Sequence, residues 1–372
     1  MIDGLLMNIP NSMIERDQLV AKLRCPGCQG ALTTGSDCAA TSADEVLLCA
    51  ECGESFPIVD GVPRMLLSPL REALGGAVAA DRAEAHKAAT AESFGFEWHR
   101  FPEMHREWEQ NFLDYLAPRL PEFFRGKRVL DAGCGSGRHA HFAAKFGAEV
   151  VAADIGPAVE VARRNTAEFP SALIVQCDLY ALPLAPESFD FVYSLGVLHH
   201  LPDPEAGFRN LLRFVKPGGE IQVYLYWEPE GRPVKRVLLY GVSALRAVTT
   251  RLPHRLLYAL SYPAAFGAFA AFVWPYQVFR RIPGLRKLAE HTPMRQYADY
   301  PFRVCVNDQF DRFSAPIENR YTKAEVEAWL RRAGLEDIRV FPFCGWVGSG
   351  RKPLNPVSDS GECAAVSGSL AP

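Results

Sequence analysis

Hydrophobic positions between residues 128 and 227 follow two alternating patterns. Short apolar runs, for example residues 150–153 and 173–175, are each followed by a segment in which apolar residues recur every three or four positions. A short apolar run predicts a buried strand, and the longer recurrence predicts an amphipathic helix. Strands that alternate with helices in this way form a mainly parallel sheet covered by helices. The pattern therefore predicts an α/β fold.

The same helix-then-strand pattern returns between residues 320 and 348. Thr322 and Glu325 have the spacing of a capping box, and Gly334 is placed to end the helix that they begin. Residues 337–341 and 345–348 then predict a closing hairpin. Because this pattern completes the earlier one, we interpret residues 228–315 as an insertion into a single sheet.

The insertion contains an apolar segment, residues 256–279, in which no residue is charged. Its length alone permits a membrane span. A single crossing would separate the strand and helix after residue 320 from the sheet they must complete, and Pro263 and Pro275 weaken a straight helix. Aromatic residues at steps of three and four predict one stripe: Tyr258, Tyr262, Phe266, Phe269, Phe272, Tyr276 and Phe279. Two interpretations stay open, an element in the plane of the cytoplasmic leaflet and a protein-covered helical cap or dimer interface.

Composition and charge divide the chain into two surfaces. It has 372 residues, of which 48% are hydrophobic and 22% charged, with a net charge of −3, which excludes a disordered or collagen-like chain. Residues 228–300 nevertheless contain 11 Lys and Arg against 4 Asp and Glu, a local charge of +7, so the rest of the chain carries −10. The acidic body disfavours nucleic acid as a partner. The basic segment, which includes Arg246, Arg251, Arg286 and Lys287, favours anionic lipid.

Four of the ten cysteines form two CxxC pairs, Cys25 with Cys28 and Cys49 with Cys52, separated by 20 residues. This spacing is typical of a four-thiolate zinc site, and four thiolates leave no open position for catalysis. The alternative, a redox CxxC, needs only one pair. Cys38 lies between the pairs, and we interpret it as a spare. Paired thiolates together with an N-terminus that lacks the pattern of a signal peptide predict a cytoplasmic protein.

The residues that follow the second pair, Glu54 to Pro63, read Glu-Ser-Phe-Pro-Ile-Val-Asp-Gly-Val-Pro. With the cysteine pairs, residues 19–66 resemble the small zinc ribbons related to the activator subunit of tRNA and protein methyltransferases, which many bacterial methyltransferases carry fused at the N-terminus. The resemblance implies a structural zinc ion in a module that supports the fold or recruits a partner.

The strongest chemical signal is a glycine loop that follows an apolar strand, Gly133-Cys134-Gly135-Ser136-Gly137. Glycines let the backbone approach a ligand closely, and the helix that follows attracts an anionic group. Dinucleotide-binding loops are similar, but they place the last glycine one position later, where this chain has Arg138. Two acids, Asp154 and Asp178, end or follow the next predicted strands. The first is placed to accept ribose hydroxyls, and the second can accept from an adenine amino group.

This order of loop and acids continues through residues 189–203 and the turn at residues 216–220. It resembles class I S-adenosylmethionine (SAM)-dependent methyltransferases, specifically the broad methyltransferase type 11 group that includes ubiquinone and menaquinone biosynthesis enzymes. The resemblance covers residues 126–227 and 320–350 and implies a Rossmann-like sheet of seven strands, mostly parallel with the last strand antiparallel. By position it implies Asp131, Gly133, Gly135 and Gly137 for the methionine end of SAM, Asp154 and Ile155 for the ribose, Asp178 and Leu179 for the adenine, and Ser194 beneath the sulfonium.

Two histidines, His199 and His200, follow the predicted fourth strand, where an acceptor would approach. Either could act as a general base or hydrogen-bond the acceptor, and the other interpretation is that both are packed beneath the next helix. Residues 194–197 replace the Asn-Pro-Pro-aromatic element of enzymes that methylate amino groups of nucleic acid or glutamine, which weakens that substrate class. Residues 93–101 are unusually aromatic, and in similar fused methyltransferases this region folds over the cofactor as a lid.

The predicted organisation is a zinc ribbon (residues 19–68), a linker and helical lid (69–125), the first part of the methyltransferase core (126–227), a basic aromatic insert (228–315), the closing part of the core (316–350) and a disordered tail (351–372). The hypothesis is a SAM-dependent methyltransferase that acts on a small or lipid-linked acceptor, with C- or O-methylation favoured and membrane contact through residues 234–290. The alternatives are an RNA or protein methyltransferase whose zinc ribbon contacts the macromolecule, and a catalytically silent SAM-binding regulatory protein.

Overall fold

The computed structural model describes residues 21–36, 45–231 and 233–354 of the chain. Near its beginning, four short strands form an antiparallel sheet in the order β1-β2-β3-β4. They are β1 (Leu32–Ser36), β2 (Glu45–Cys49), β3 (Ser55–Val59) and β4 (Val62–Pro63). Cys25 and Cys28 precede β1, Cys49 ends β2 and Cys52 lies in the turn to β3. Cys38, which we interpreted as a spare, lies outside the described residues.

Three helices connect this small sheet to the rest of the chain: α1 (Ser68–Leu74), α2 (Arg82–Arg100) and α3 (Glu107–Tyr115). The long helix α2 begins at a cap in which the Asp81 side chain accepts a hydrogen bond from the Glu84 N–H at 2.8 Å. A Cβ added to Gly95 would lie 2.6 Å from Pro157 Cγ, so this face of α2 packs tightly on the following domain. The later part of the segment interpreted as a linker, from Arg82 on, and the aromatic segment up to Arg100 lie in this one helix.

The centre of the molecule is a seven-stranded sheet with the order β10-β11-β9-β8-β5-β6-β7. Its strands are β5 (Arg128–Ala132), β6 (Glu149–Asp154), β7 (Ala172–Gln176), β8 (Phe189–Leu195), β9 (Val215–Leu225), β10 (Glu336–Pro342) and β11 (Trp346–Arg351). Strands β5 to β9 pair in parallel, and β11 pairs antiparallel with both β9 and β10. The predicted fold class, a mostly parallel seven-stranded sheet with an antiparallel last strand, is confirmed.

Of the helices that cover this sheet, the last two begin at side-chain caps that the sequence indicates. The helices are α4 (Arg138–Lys145), α5 (Val159–Asn165), α6 (Pro204–Leu212) and, after the insert, the helix Lys323–Arg332. Asp203 caps α6 by accepting from the Ala206 N–H at 3.0 Å. Thr322 and Glu325 form the predicted capping box. Strand order reverses on either side of β5, and in such sheets ligands bind at the carboxyl ends of the strands beside that reversal.

The cysteine module packs directly against the large sheet. The Arg24 N–H donates to the Pro183 carbonyl at 2.9 Å, and the Met65 N–H donates to the Gln176 carbonyl at the end of β7 at 2.7 Å. Apolar side chains from both parts belong to one buried cluster, among them Phe56, Met65, Leu182 and Leu184. Because the two parts share a hydrophobic core, loss of structure in the module would reach the neighbouring edge of the sheet.

The insert is helical, and the residues before and after it lie side by side at the end of β9. The Glu228 N–H donates to the Tyr321 carbonyl at 2.8 Å, and the Tyr321 N–H donates to the Tyr226 carbonyl at 2.9 Å. Its main helices are α7 (Pro233–Thr249), α8 (His254–Ala268), α9 (Trp274–Phe279), α10 (Arg286–Glu290) and α11 (Phe302–Ser314), and the closing helix Lys323–Arg332 is α12. A π-helical turn, Phe269–Val273, joins α8 to α9.

The aromatic residues of the insert do not form one exposed stripe. Tyr258, Tyr262 and Phe269 pack against the insert's own buried cluster, which includes Phe310 of α11, whereas Phe266 is 59% exposed. The predicted stripe is therefore covered by protein at Tyr258, Tyr262 and Phe269 and exposed at Phe266. A residue step of three or four keeps side chains roughly aligned on a helix, but it does not decide which of them the neighbouring helix covers.

Two further placements differ from the sequence interpretation. Arg246, counted with the lipid-attracting basic residues, is buried and forms an ion pair with Glu318 at 2.8 Å. Arg351, taken as the start of a tail, is the last residue of β11. Residues 355–372 lie outside the described part of the chain.

Candidate active site

A cavity of about 240 Å³ opens at the carboxyl ends of the central strands, beneath α2 and α11. Its floor is the glycine loop with the residues that follow β6, β7 and β8, and its roof comes from the two helices. The residues that line it are Thr90, Ala91, Phe94, Glu97, Trp98, Tyr115, Gly133, Cys134, Gly135, Ser136, Arg138, His139, Asp154, Ile155, Asp178, Leu179, Leu195, Gly196, Val197, His200, Leu201, Tyr224, Tyr226, Asn307, Asp308 and Asp311.

The glycine loop between β5 and α4 has no room for side chains. Gly133, Gly135 and Gly137 have φ of 89°, 51° and 76°, a region that other residues rarely adopt. A Cβ on Gly133 would lie 2.3 Å from Val197 Cγ2, and a Cβ on Gly135 would lie 2.7 Å from Trp98 Nε1. The backbone of the loop therefore forms the floor of the cavity, and Trp98 of α2 lies close to it on the roof side.

Asp154 ends β6 beside the loop and lines the cavity. Its two carboxylate oxygens each accept a backbone hydrogen bond at 2.9 Å, from the Gly135 N–H and the Gly156 N–H. Burial raises the pKa of Asp154 above its ordinary value. The hydrogen bond to Gly135 links the acid to the glycine loop, so the two predicted features form one unit with Ile155 next to them.

Asp178 follows β7 and lies at the other end of the same floor. It accepts from the Tyr180 N–H at 3.0 Å and from Lys87 Nζ of α2 at 2.6 Å, while Leu179 lines the cavity beside it. The ion pair with Lys87 fastens the roof helix to the floor. Sequence reasoning missed Lys87, because the residue lies in a segment that was interpreted as a linker.

Two predicted site residues are placed behind the cavity wall. Asp131 is 1% exposed, and burial raises its pKa to about 7. Ser194 is fully buried, and its Oγ donates to the Ala132 carbonyl at 2.8 Å. Neither residue lines the cavity, and Leu195, Gly196 and Val197 form its surface after β8 instead.

The two histidines have different environments. His199 is fully buried, does not line the cavity and stacks on the Tyr226 ring at 3.9 Å between centroids. His200 lines the cavity, and its Nδ1 lies 2.6 Å from the Ile317 carbonyl, to which the neutral ring donates. Burial lowers the pKa of His199 well below the ordinary value and that of His200 to about 4. Both rings are therefore neutral near pH 7, and only His200 is placed to contact a ligand.

Three carboxylates line the roof of the cavity. Glu97 comes from α2, and Asp308 and Asp311 come from α11. Burial raises the pKa of Glu97 well above its ordinary value and those of Asp308 and Asp311 to about 6. Sequence reasoning missed all three. The available signal was a pair of acids three positions apart, beside the apolar Phe310, in a helix that follows the basic part of the insert.

The four paired cysteines lie together at the far end of the small sheet. Their sulfur atoms lie within 4.8 Å of one another, with 3.5 Å between the sulfurs of Cys25 and Cys52 and 3.4 Å between those of Cys28 and Cys49. Tetrahedral zinc with Zn–S bonds of about 2.3 Å requires sulfurs about 3.8 Å apart. The Gly30 N–H also points at Cys28 Sγ, at 3.4 Å. The cluster fits one ion with four thiolate ligands.

Residues 130–223 match the family model described as a methyltransferase domain. The matched segment contains the glycine loop, Asp154, Asp178 and both histidines. This part of the chain is therefore a methyltransferase domain, as its motifs predicted.

Curated relatives include the ubiquinone biosynthesis O-methyltransferases of Xanthomonas oryzae pv. oryzae and Vibrio cholerae. The first is 41% identical over 114 residues, which are 29% of this chain and 46% of the relative. The second is 36% identical over 135 residues, 36% of this chain and 53% of the relative. The chain thus spans about half the length of the curated relatives that it matches.

Solved structures that are similar to this chain include the following two. Magnesium protoporphyrin IX methyltransferase from Synechocystis is 14% identical, with a TM-score of 0.38 over 76% of this chain and 93% of that chain. The YcgJ protein from Bacillus subtilis is 25% identical, with a TM-score of 0.32 over 38% of this chain and 59% of that chain.

Proposed function

We propose that this protein is a SAM-dependent methyltransferase that acts on a small or lipid-linked acceptor, with O- or C-methylation favoured. The observation that carries the proposal is the hydrogen bond from the Gly135 N–H to Asp154. This bond holds the glycine loop and the acid that would accept the ribose next to each other at the floor of one cavity. The methyltransferase domain match over residues 130–223 supports the same activity.

In our proposal the floor of the cavity binds the parts of SAM in the order that the motifs imply. The loop from Gly133 to Gly137 would hold the methionine end, Asp154 with Ile155 the ribose, and Asp178 with Leu179 the adenine. Asp131 and Ser194 lie behind this surface, so in our proposal they position the loop and β8 rather than contact the cofactor. The helix α2, whose Lys87 and Trp98 side chains contact the floor, would serve as the lid.

SAM would supply a methyl group that is already activated on a sulfonium. The protein therefore has to position the acceptor in line and exclude water, and it needs a base only for a hydroxyl or carbon acceptor. The roof helices α2 and α11 exclude water from above. The neutral His200, whose Nδ1 donates to the Ile317 carbonyl, keeps Nε2 as a hydrogen-bond acceptor for a substrate hydroxyl. His199 has no place in this scheme, because it is packed behind Tyr226.

The acceptor class rests on the relatives and on the insert. The curated relatives are named ubiquinone biosynthesis O-methyltransferases. Among the helices in the described ranges, one segment of 26 residues, His254–Phe279, is long and apolar enough to cross a membrane. Because β9 before the insert and β11 after it belong to one sheet, a single crossing is incompatible with the fold.

We propose that α8 and α9 instead lie in the plane of an anionic leaflet. Their outer face exposes apolar side chains, namely Leu256 (47%), Leu260 (47%), Phe266 (59%), Trp274 (46%) and Val278 (52%). The same part of the insert carries five exposed basic residues: Arg255, Arg280, Arg281, Arg286 and Lys287. An exposed apolar face together with basic residues is the chemistry that anionic lipid attracts. Co-sedimentation with vesicles should depend on anionic lipid and should be lost on deletion of residues 234–290. Binding that is indifferent to both would contradict the membrane proposal.

The four cysteines would hold a structural zinc ion. All four positions are thiolates, so the ion has no open site for a substrate. In this proposal the metal stabilises the small sheet, and through the shared core it supports the edge of the large sheet next to Asp178.

The function is tested by titrating SAM and S-adenosylhomocysteine (SAH) into the purified protein, followed by transfer of labelled methyl from SAM to a lipid extract, to RNA and to protein. Binding of both nucleosides and labelling of the lipid extract are expected. Labelling of RNA or protein would instead support a macromolecular methyltransferase, and binding without any transfer would support a SAM-binding regulator. Absence of binding would contradict all three.

A further inference from the structure

The roof of the cavity carries a concentration of negative charge that the methyltransferase proposal does not use. We call Glu97, Asp308 and Asp311 the anionic wall. The three residues come from the lid helix α2 and the insert helix α11, opposite the glycine loop, and all three line the cavity. They therefore face the same space as the floor but belong to elements outside the matched methyltransferase domain.

The anionic wall receives only neutral hydrogen bonds from the protein. The Tyr226 hydroxyl donates to Asp311 Oδ2 at 3.3 Å, and the Tyr297 hydroxyl donates to Asp308 Oδ2. Glu97 is 1% exposed, and its Oε2 has no hydrogen-bond partner. Within residues 21–36, 45–231 and 233–354, none of the three carboxylates forms an ion pair. A buried carboxylate in this condition is unfavourable unless a ligand supplies the missing partner.

Glu318, a buried acid close to the wall, is paired with cations. Glu318 follows α11 and forms ion pairs with Arg246, at 2.8 Å, and with Arg320. Among the described residues that line the cavity, Arg138 is the single cationic side chain, and it lies over the Trp98 and Trp108 rings at 5.6 and 4.9 Å. One guanidinium cannot neutralise three ionised carboxylates, and burial, which raises the pKa of each, favours the protonated carboxyls until a cationic ligand binds.

Aromatic rings surround this charge. Phe94, Tyr115, Tyr224 and Tyr226 line the same part of the cavity, and the Tyr115 and Tyr224 rings lie 4.8 Å apart between centroids. Aromatic faces attract organic cations, and desolvated carboxylates do so more strongly. A neutral quinone or phenol would leave the carboxylates without partners, whereas an ammonium group would satisfy them.

We propose that the anionic wall binds a positively charged nitrogen on the methyl acceptor, so that the acceptor class is an organic amine. The nitrogen is a recognition element, and carbon, oxygen or nitrogen could be the atom that receives the methyl group. The inference rests on the proposed function in one point, namely that the ligand bound at the glycine loop is SAM.

The test uses two probes of matched shape, benzylamine and benzyl alcohol, titrated into the full-length protein with and without saturating SAH. Benzylamine is protonated near pH 7.5, and we expect it to bind at least about tenfold more tightly than the alcohol, since a charge-assisted hydrogen bond distinguishes them. In the variant Glu97→Gln/Asp308→Asn/Asp311→Asn this preference should fall below about twofold. Each substitution keeps the shape of the side chain.

Asp299→Asn provides the matched control. Asp299 belongs to the same insert, its side chain is 72% exposed, and it does not line the cavity, so its neutralisation changes net charge without changing the wall. This variant should retain the full amine preference. If the triple variant fails to fold by circular dichroism, Asp311→Asn alone, which can still accept from Tyr226, should lower the preference by about threefold or more.

Several results would overturn the inference. Equal binding of amine and alcohol by the unaltered protein would do so, as would a preference that survives in the triple variant. A triple variant that binds SAM much more weakly but SAH normally would assign the wall to the sulfonium rather than the acceptor, and one that binds both much more weakly would assign it to the α-ammonium group that both carry. Failure of SAM and SAH to bind would contradict the proposed function, and the amine preference would then be measured on the protein without SAH.

Discussion

The floor and the roof of the cavity treat their acidic residues differently. On the floor, Asp154 accepts two backbone N–H groups at 2.9 Å each, and Asp178 is held by the Lys87 ammonium at 2.6 Å. On the roof, Asp308 and Asp311 accept only tyrosine hydroxyls, and Glu97 Oε2 accepts nothing. The protein itself supplies backbone N–H groups or an ammonium group to Asp154 and Asp178 on the floor. On the roof it supplies no cation that pairs with Glu97, Asp308 or Asp311 within the described residues.

This difference indicates that the matched domain and the two roof helices, α2 and α11, have different roles in binding. The floor lies in the matched methyltransferase domain, where a fixed ligand requires preformed geometry. The roof lies on the lid helix and the insert, where side chains can change with the acceptor while the sheet stays intact. Unpaired buried charge is retained at a functional site when the ligand supplies the opposite charge.

The largest effect should come from the metal cluster, which supports only the floor. Cys49→Ser, or chelation of the ion, should lower the free energy of unfolding by about 5 kcal/mol, because structural zinc binding is itself folding energy. SAH affinity should fall as well, since the module packs against Leu182 and Leu184 close to Leu179. Zinc content, urea denaturation and SAH titration measure these changes. Cys344→Ser, an exposed cysteine outside the cluster, should change none of them.

Gly133→Ala should remove the floor while leaving the anionic wall in place. The added Cβ would lie 2.3 Å from Val197 Cγ2 at a φ of 89°, so the loop must move. SAH affinity should fall by about a hundredfold or more, while the amine preference of the roof persists. Gly126→Ala is the matched control, because its φ is 70° but nothing lies within 4 Å of the added Cβ. That variant should lose some stability but bind SAH normally, and equal losses in both variants would contradict the assignment of the loop.

Asp308→Asn should show that the anionic wall destabilises the empty protein. Burial raises the pKa of Asp308 to about 6, so the folded state holds its proton more tightly than the unfolded state, in which the pKa is near 3.8. The stability contributed by protonation is complete at low pH and is lost as pH rises through 6. At about pH 7.5 the variant should exceed the unaltered protein in free energy of unfolding by about 1 to 3 kcal/mol.

Urea denaturation at two pH values checks the sign. The advantage of Asp308→Asn should shrink by about 1 kcal/mol between about pH 7.5 and about pH 5. The charged and titratable groups near Asp308 are Tyr297, Asp311, Arg312, Arg138 and Glu97. An advantage that grows at acidic pH would show that the carboxylate is stabilised in its charged form, contrary to the contrast between roof and floor.

The smallest effect concerns the outer face of the insert, which touches neither half of the cavity. Phe266→Ser/Trp274→Ser should reduce partitioning to anionic vesicles by about fivefold, since two half-exposed aromatic side chains would no longer bury apolar surface. SAH affinity and the amine preference should stay unchanged. Val78→Ser, a 99% exposed residue outside the insert, is the control. A fall in SAH affinity would show that this face supports the cavity instead of a lipid surface.

Much of the floor could be predicted from the sequence, because its signals are local or follow from sheet geometry. The strand, glycine loop and helix occupy consecutive residues, and the carboxyl ends of neighbouring parallel strands must meet, which brings Asp154 and Asp178 to one edge. The capping box at Thr322 and the cysteine pairs are also fixed by short spacings. Ser194 was placed less well, since the direction in which a strand residue points depends on the exact register of β8 in the sheet.

The roof is where tertiary structure decided the outcome. Glu97 and Asp311 lie far apart in the chain, on helices whose periodicity shows an apolar face but not what covers it. Their meeting depends on how α2 packs against Pro157 and on where the insert leaves and rejoins the sheet. By itself the sequence determined the sheet, the loop with its acids and the four-thiolate cluster. Only the packing of α2 and α11 placed three unpaired carboxylates over the glycine loop, because long-range contacts between helices are set by the shape of the shared core.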